Sequence, residues 1–137
     1  MTYAGDVTPS DAWSELGRDN AAQLVDVRTR PEWAFVGMPD LARHGKKVVL
    51  LAWQEFPAMQ VNPNFMAELA KAVPDRNAPL YFLCRSGGRS RAAAMAATEA
   101  GYKRCYNILD GFEGGLDPTR HRGKAGWKAA GLPWLQD

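Results

Sequence analysis

Seven consecutive residues hold a thiol, two guanidinium groups, two hydroxyls and two glycines: Cys84-Arg85-Ser86-Gly87-Gly88-Arg89-Ser90. An apolar run, Pro79-Leu80-Tyr81-Phe82-Leu83, leads into the cysteine, and an alanine-rich segment from about Ser90 to Ala100 follows. The pattern reads as strand, tight loop, helix, with Cys84 as the first loop residue. Gly87 and Gly88 permit backbone conformations that a Cβ forbids. A loop curled around the cysteine aims its N–H groups inward, and the helix behind it adds the positive end of its dipole. Both effects favour a thiolate over a thiol. The amides from Arg85 to Arg89 are expected to stabilise the sulfur as an oxyanion hole stabilises oxygen. Arg85 and Arg89 suit an anionic substrate, and the plainer alternative for each is solvated surface charge. Ser86 and Ser90 can donate hydroxyls to an anion or to the sulfur, and for Ser90 a capping role alone is the alternative. Free cysteines are commonly buried structural residues, but a glycine-rich loop between two arginines is a poor place for one. Cys84 therefore reads as a nucleophile in an anion-binding cradle.

The elements around this loop alternate. Thr8 is a natural N-cap with Pro9 at the first helical position, opening a helix that stops near Gly17. Ala22 to Val27 reads as a short buried strand. Arg30 to Phe35 starts a short helix, broken by Gly37, Pro39 and Asp40. Lys46 to Trp53 is the next expected strand, apolar enough for a parallel sheet covered on both faces. A loop from Gln54 to Pro63 precedes a helix over Phe65 to Ala72, ended by Pro74. After the Cys84 loop and its helix, Arg104 to Ile108 is the last strand, and a glycine-rich segment from Gly111 to Gly126 leads to a short helix near Ala125 to Ala130. The alternation predicts an α/β fold with a mostly parallel sheet of about five strands and helices on both faces. Ligands of such sheets sit at the carboxyl ends of the strands. Cys84 follows one such end and Arg28 another.

Composition narrows the classes. At 137 residues, one domain spanning 1–137 is expected. The net charge of +2 gives no case for nucleic acid or a membrane surface as partner. The N-terminus lacks the basic and apolar regions of a signal peptide. Two cysteines make no disulfide framework, so a reducing cytoplasm is the expected location. Cys105, inside a strand pattern, reads as core, with a resolving thiol as the alternative. His44 and His121 stand apart, with no metal-ligand spacing. Trp53, Phe56 and Met59 are candidates for a pocket mouth or for core packing.

The Cys84–Ser90 loop resembles the active-site loop of single-domain rhodaneses, which are sulfurtransferases. Asp26-Val27-Arg28 with Glu32-Trp33 is similar to that family's first-strand motif. Gly101-Tyr102, Asn107-Ile108-Leu109-Asp110-Gly111-Phe112 and Gly114-Gly115-Leu116 resemble its last strand and following turn, and Trp127 to Pro133 its usual ending. The resemblance implies a three-layer rhodanese-like fold. It also implies a chemistry in which the Cys84 thiolate takes the outer sulfur of thiosulfate or a persulfide and passes it, as a persulfide, to cyanide or a thiol. No metal or cofactor is implied. Matching residues place Arg85, Ser86, Gly87, Gly88, Arg89 and Ser90 at the substrate, with Asp26 in support and Arg28 either touching substrate or paired with Glu32. The family commonly has a Gly-His-Ile-Pro-Gly-Ala segment where this chain reads Val36-Gly37-Met38-Pro39-Asp40-Leu41.

Two other functions are weighed against this one. A sulfur carrier charged by a partner desulfurase would use the same cysteine in a sulfur relay. Cysteine-dependent phosphatases place five residues between cysteine and arginine, whereas four separate Cys84 from Arg89. The shorter loop fits a sulfane sulfur better than a tetrahedral phosphate.

Overall fold

The computed structural model describes residues 2–136. In chain order the elements are β1 (Gly5–Val7), α1 (Pro9–Arg18), β2 (Gln23–Asp26), α2 (Arg30–Phe35), β3 (Met38–Pro39), β4 (Val49–Leu50), β5 (Gln54–Glu55), β6 (Gln60–Val61), α3 (Phe65–Ala72), β7 (Leu80–Leu83), α4 (Gly88–Glu99), β8 (Cys105–Ile108) and β9 (Trp134–Leu135), with a 3₁₀ turn over Ala42–His44. Five strands form the central sheet in the order β1-β8-β7-β2-β4. Every pair in it is parallel, as the alternation predicts. β3 pairs antiparallel with β9, and β5 with β6, in two small separate ribbons.

The sheet's two faces follow from the period-two geometry of strands. On β7, Leu80 and Phe82 point to one face, and Tyr81 and Leu83 to the other. The first face packs on Phe65 and Leu69 of α3 and on Ala93, Ala94 and Ala97 of α4. The alanines allow α4 to lie close to the sheet. The second face packs on Ala12 and Leu16 of α1, and on Phe112 and Trp127 from the glycine-rich segment. This gives the three-layer α/β arrangement that the resemblance implies. No helix among the described residues is long and apolar enough to cross a membrane.

Local expectations meet mixed outcomes. Thr8 caps α1, its hydroxyl accepting from Asp11 N–H at 3.1 Å. The helix runs past Gly17 to Arg18, and Gly17 packs under the His44 ring, where a Cβ would lie 2.5 Å from it. The Lys46–Trp53 strand shrinks to Val49–Leu50 at the sheet edge, with Leu50 40% exposed, so the both-faces-covered expectation fails there. The loop from Gln54 to Pro63 holds the β5–β6 ribbon. Ala125 to Ala130 forms turns rather than a helix. α4 begins two residues earlier than expected, at Gly88.

Phe82 is fully buried at the centre of the sheet. Replacing it by alanine is expected to cost about 3–5 kcal/mol in urea-induced unfolding. A loss below about 1 kcal/mol would contradict its place in the core.

Candidate active site

β7 ends at Leu83 and the chain turns at once, so Cys84 stands at the carboxyl edge of the sheet's middle strand. Gly87, with φ of +117°, reverses the backbone in a conformation that disfavours a side chain, and α4 starts at the next residue. The turn brings Gly87 N–H to 3.1 Å from Cys84 Sγ. Ser90 Oγ, in the first turn of α4, is 3.2 Å from the same sulfur. The sulfur therefore sits at the N-terminus of a twelve-residue helix, where unpaired amides and the helix dipole favour negative charge. Of the amides expected to ring it, Gly87 N–H is the one that meets it with hydrogen-bond geometry among the described residues. Cys84 is 1% exposed and packs against the core on the α3–α4 face, while Arg85, Ser86 and Gly88 beside it are exposed. The sulfur thus lies between the buried core on one side and the polar loop on the other.

A second loop braces this turn from behind. Phe112 N–H donates to the Cys84 carbonyl at 2.8 Å, and Glu113 N–H to the Arg85 carbonyl at 3.0 Å. The approach depends on Gly111, whose φ is +56°. A Cβ on Gly111 would lie 2.3 Å from the Cys84 carbonyl oxygen.

Asp26 and Arg28 form a buried pair behind that brace. Arg28 donates from Nε to Asp26 Oδ1 at 2.9 Å and from Nη2 to Asp26 Oδ2 at 2.7 Å. Its Nη2 also donates to the Gly37 carbonyl at 2.8 Å, and its guanidinium lies 4.2 Å over the Phe112 ring. Both side chains are fully buried. Arg28 is therefore not paired with Glu32, and its lack of accessible surface removes it from direct substrate contact in this structure. It holds β2, the Gly37 turn and Phe112 together, and Phe112 holds Cys84.

Glu32 turns elsewhere. Arg89 donates to it twice, Nη1 to Oε1 at 2.7 Å and Nη2 to Oε2 at 2.9 Å. Thr29 adds its N–H and its hydroxyl to Oε1, at 3.1 and 2.9 Å. Burial pushes the Glu32 carboxyl up, but the hydrogen bonds and charge of Arg89, helped by Thr29, outweigh it and bring it down to about 2. The guanidinium of Arg89 is raised in turn, chiefly by its hydrogen bonds to Glu32. Arg89 is thus an anchored cation that ties α4 to α2. Arg85 is the exposed loop arginine.

Cys105 is fully buried in β8 among apolar residues, and burial pushes its thiol up. Trp53 packs edge-on against Phe65 at 5.0 Å. Phe56 lines a cavity of about 630 Å³ with Thr29, Trp33, Leu50, Leu51 and Asn62, and no residue of the Cys84 loop lines it. Asn107 and Glu32 are the site neighbours to which sequence reasoning gave no such role. The one available signal was a buried amide within an apolar strand, Cys105-Tyr106-Asn107-Ile108.

The model of the STR4 middle domain family matches residues 4–137. The chain belongs to the rhodanese-like family. The crystal structure of Rv0390 from M. tuberculosis superposes with a TM-score of 0.91 at 52% identity, covering 99% of this chain and 100% of that one. Rhodanese-like domain-containing protein 4 of Arabidopsis thaliana chloroplasts is 32% identical over 92% of this chain and 24% of its own length. Thiosulfate sulfurtransferase GlpE of Haemophilus influenzae is 29% identical over 80% of this chain and 85% of its own.

Two consequences can be measured. Gly111→Ala is expected to destabilise the protein by at least about 1–2 kcal/mol, from positive φ alone, in thermal unfolding; no loss would show that the brace does not need its close approach. Glu32 has a depressed folded-state value, so its contribution is present above its ordinary value of 4.5 and is lost as pH falls toward about 2. The stability advantage of wild type over Glu32→Gln should be flat above that window and shrink within it. An advantage independent of pH across the window would contradict the ion pair.

Proposed function

We propose that this rhodanese-like protein is a sulfurtransferase with Cys84 as its nucleophile. The observation that carries the reading is Cys84 Sγ at the end of β7, accepting the Gly87 N–H at 3.1 Å at the N-terminus of α4. A sulfur anion formed there gains a directed donor and the helix dipole. The likeness to a thiosulfate sulfurtransferase supports the same chemistry.

The first step is attack of the Cys84 thiolate on the outer sulfur of thiosulfate. A sulfur–sulfur bond forms at Cys84, the donor's sulfur–sulfur bond breaks, and sulfite leaves with the bonding electron pair. In the second step cyanide or a thiolate attacks the outer sulfur of the Cys84 persulfide. The new bond carries that sulfur to the acceptor, and the electron pair of the breaking bond regenerates the thiolate. Neither step needs an added oxidant or a metal. Arg85, exposed beside the sulfur, meets the anionic donor, while Arg89 supplies positive charge already shared with Glu32. Gly87 N–H stays with the sulfur in both states. A protein donor that delivers its sulfur as a persulfide would use the same two steps, and charging by such a relay partner instead of thiosulfate is read out by the same adduct.

Intact-mass spectrometry after mixing with thiosulfate should show a gain of one sulfur, about 32 Da. Cys84→Ser should abolish it and Cys105→Ser should leave it. An adduct that requires Cys105 instead would overturn the assignment, as would turnover of p-nitrophenyl phosphate with no sulfur transfer.

A further inference from the structure

A line of polar groups runs from the nucleophile to the edge of the sheet, and the sulfur-transfer steps leave it without a task. Ser90 Oγ, 3.2 Å from Cys84 Sγ, lies 2.6 Å from Asn107 Oδ1. Asn107 Nδ2 donates to Asp6 Oδ1 at 3.1 Å. Tyr3 OH donates to the same carboxylate oxygen at 2.7 Å. Parallel pairing of β1 with β8 sets Asp6 opposite Asn107, so the sheet's register creates the contact. Ser90 and Asn107 are buried, and Asp6 is exposed.

A carboxylate only accepts hydrogen bonds, so Asp6 fixes the amide: Nδ2 faces Asp6 and Oδ1 faces Ser90. A serine hydroxyl has one proton to give. Its three acceptors here are Asn107 Oδ1 at 2.6 Å, the Gly87 carbonyl at 3.2 Å and Cys84 Sγ at 3.2 Å. The shortest contact takes the proton. The lone pairs left on Ser90 Oγ accept from a thiol S–H and offer nothing to a thiolate. Turning the proton to the sulfur would leave Asn107 Oδ1 buried without a donor.

We propose that Asp6 and Asn107 are positioning residues that hold the Ser90 proton on the Asn107 amide oxygen, so that Ser90 donates no hydrogen bond to a Cys84 thiolate. The inference builds on Cys84 as the reactive group. The charges around that group are Arg85 on its own loop, the Arg89–Glu32 pair from α4 and α2, the Asp26–Arg28 pair on and after β2, Asp110 in the bracing loop, whose backbone nitrogen lies beside Gly87, and Asp6 beyond Asn107. Asn107 is the group among the described residues that joins Ser90 to Asp6.

The test is the rate of alkylation of Cys84 by iodoacetamide as a function of pH, with the modified peptide located by mass spectrometry. Asn107→Leu removes the competing acceptor, and Asp6→Ala, at an exposed position, frees the amide to turn. Each should move the midpoint of the profile down by about half to one pH unit, making alkylation roughly three- to tenfold faster below the midpoint. Adding Ser90→Ala should cancel the shift in both. An unmoved or raised midpoint in Asp6→Ala overturns the proposal. So does a shift that survives Ser90→Ala, since removed charge alone would then explain it. The readout needs no sulfur donor. If alkylation responds as stated but thiosulfate leaves no adduct, the sulfurtransferase reading fails and the positioning role of Asp6 and Asn107 stands.

Discussion

The turn that carries Cys84 is held by main-chain hydrogen bonds from a loop that lies next to it only because β8 pairs with β7. Phe112 and Glu113 donate to the carbonyls of Cys84 and Arg85, and Gly111 supplies the approach that no other residue could make without a clash. Buried main-chain carbonyls need donors, and here the donors also fix where the sulfur points. The Asp26–Arg28 pair stands one step further back, gripping the face of Phe112. A buried ion pair of this kind adds little net stability against an apolar replacement. Its geometry explains it better: Asp26, the Gly37 carbonyl and the Phe112 ring are held at fixed distances behind the Cys84 turn.

Charge is arranged around the same point with restraint. Of the two loop arginines, Arg89 is bound to Glu32 in a two-pronged bridge, so it contributes position and a shared charge rather than a free cation. Arg85 is exposed. The loop thus presents one exposed guanidinium and one already paired. Glu32 also receives the Thr29 N–H at the start of α2, so one carboxylate both caps that helix and anchors α4.

The local features of the site were legible because they lie within one short stretch. The apolar run, the cysteine, the paired glycines and the alanine-rich helix follow one another, and strand, turn and helix come out where those residue types require. The parallel sheet was legible from alternation alone. The partners were not. Arg89 meets Glu32 across 57 positions, and Asn107 meets Asp6 across 101. Such contacts depend on which strands are neighbours and in what register, which residue spacing does not reveal. The Glu32 pair offered as one alternative for Arg28 does not form, for a related reason. Arg28 precedes α2 rather than lying in it, so a spacing of four carries no helical meaning there, and Asp26, two residues back on the strand, takes the guanidinium. The expected strand from Lys46 to Trp53 shortened to Val49–Leu50, because at the sheet edge β2 is its one pairing partner and only two residues keep the register.

The account turns on a sulfur held at the foot of α4 and able to carry a second sulfur there. A crystal structure of the protein soaked in thiosulfate reads this directly. The account predicts density for one added sulfur on Cys84 Sγ, with Gly87 N–H still within hydrogen-bond reach of the pair. An unmodified Cys84 in a crystal whose Cys105 carries the extra sulfur, or a persulfide swung away from the Gly87 amide, would contradict it.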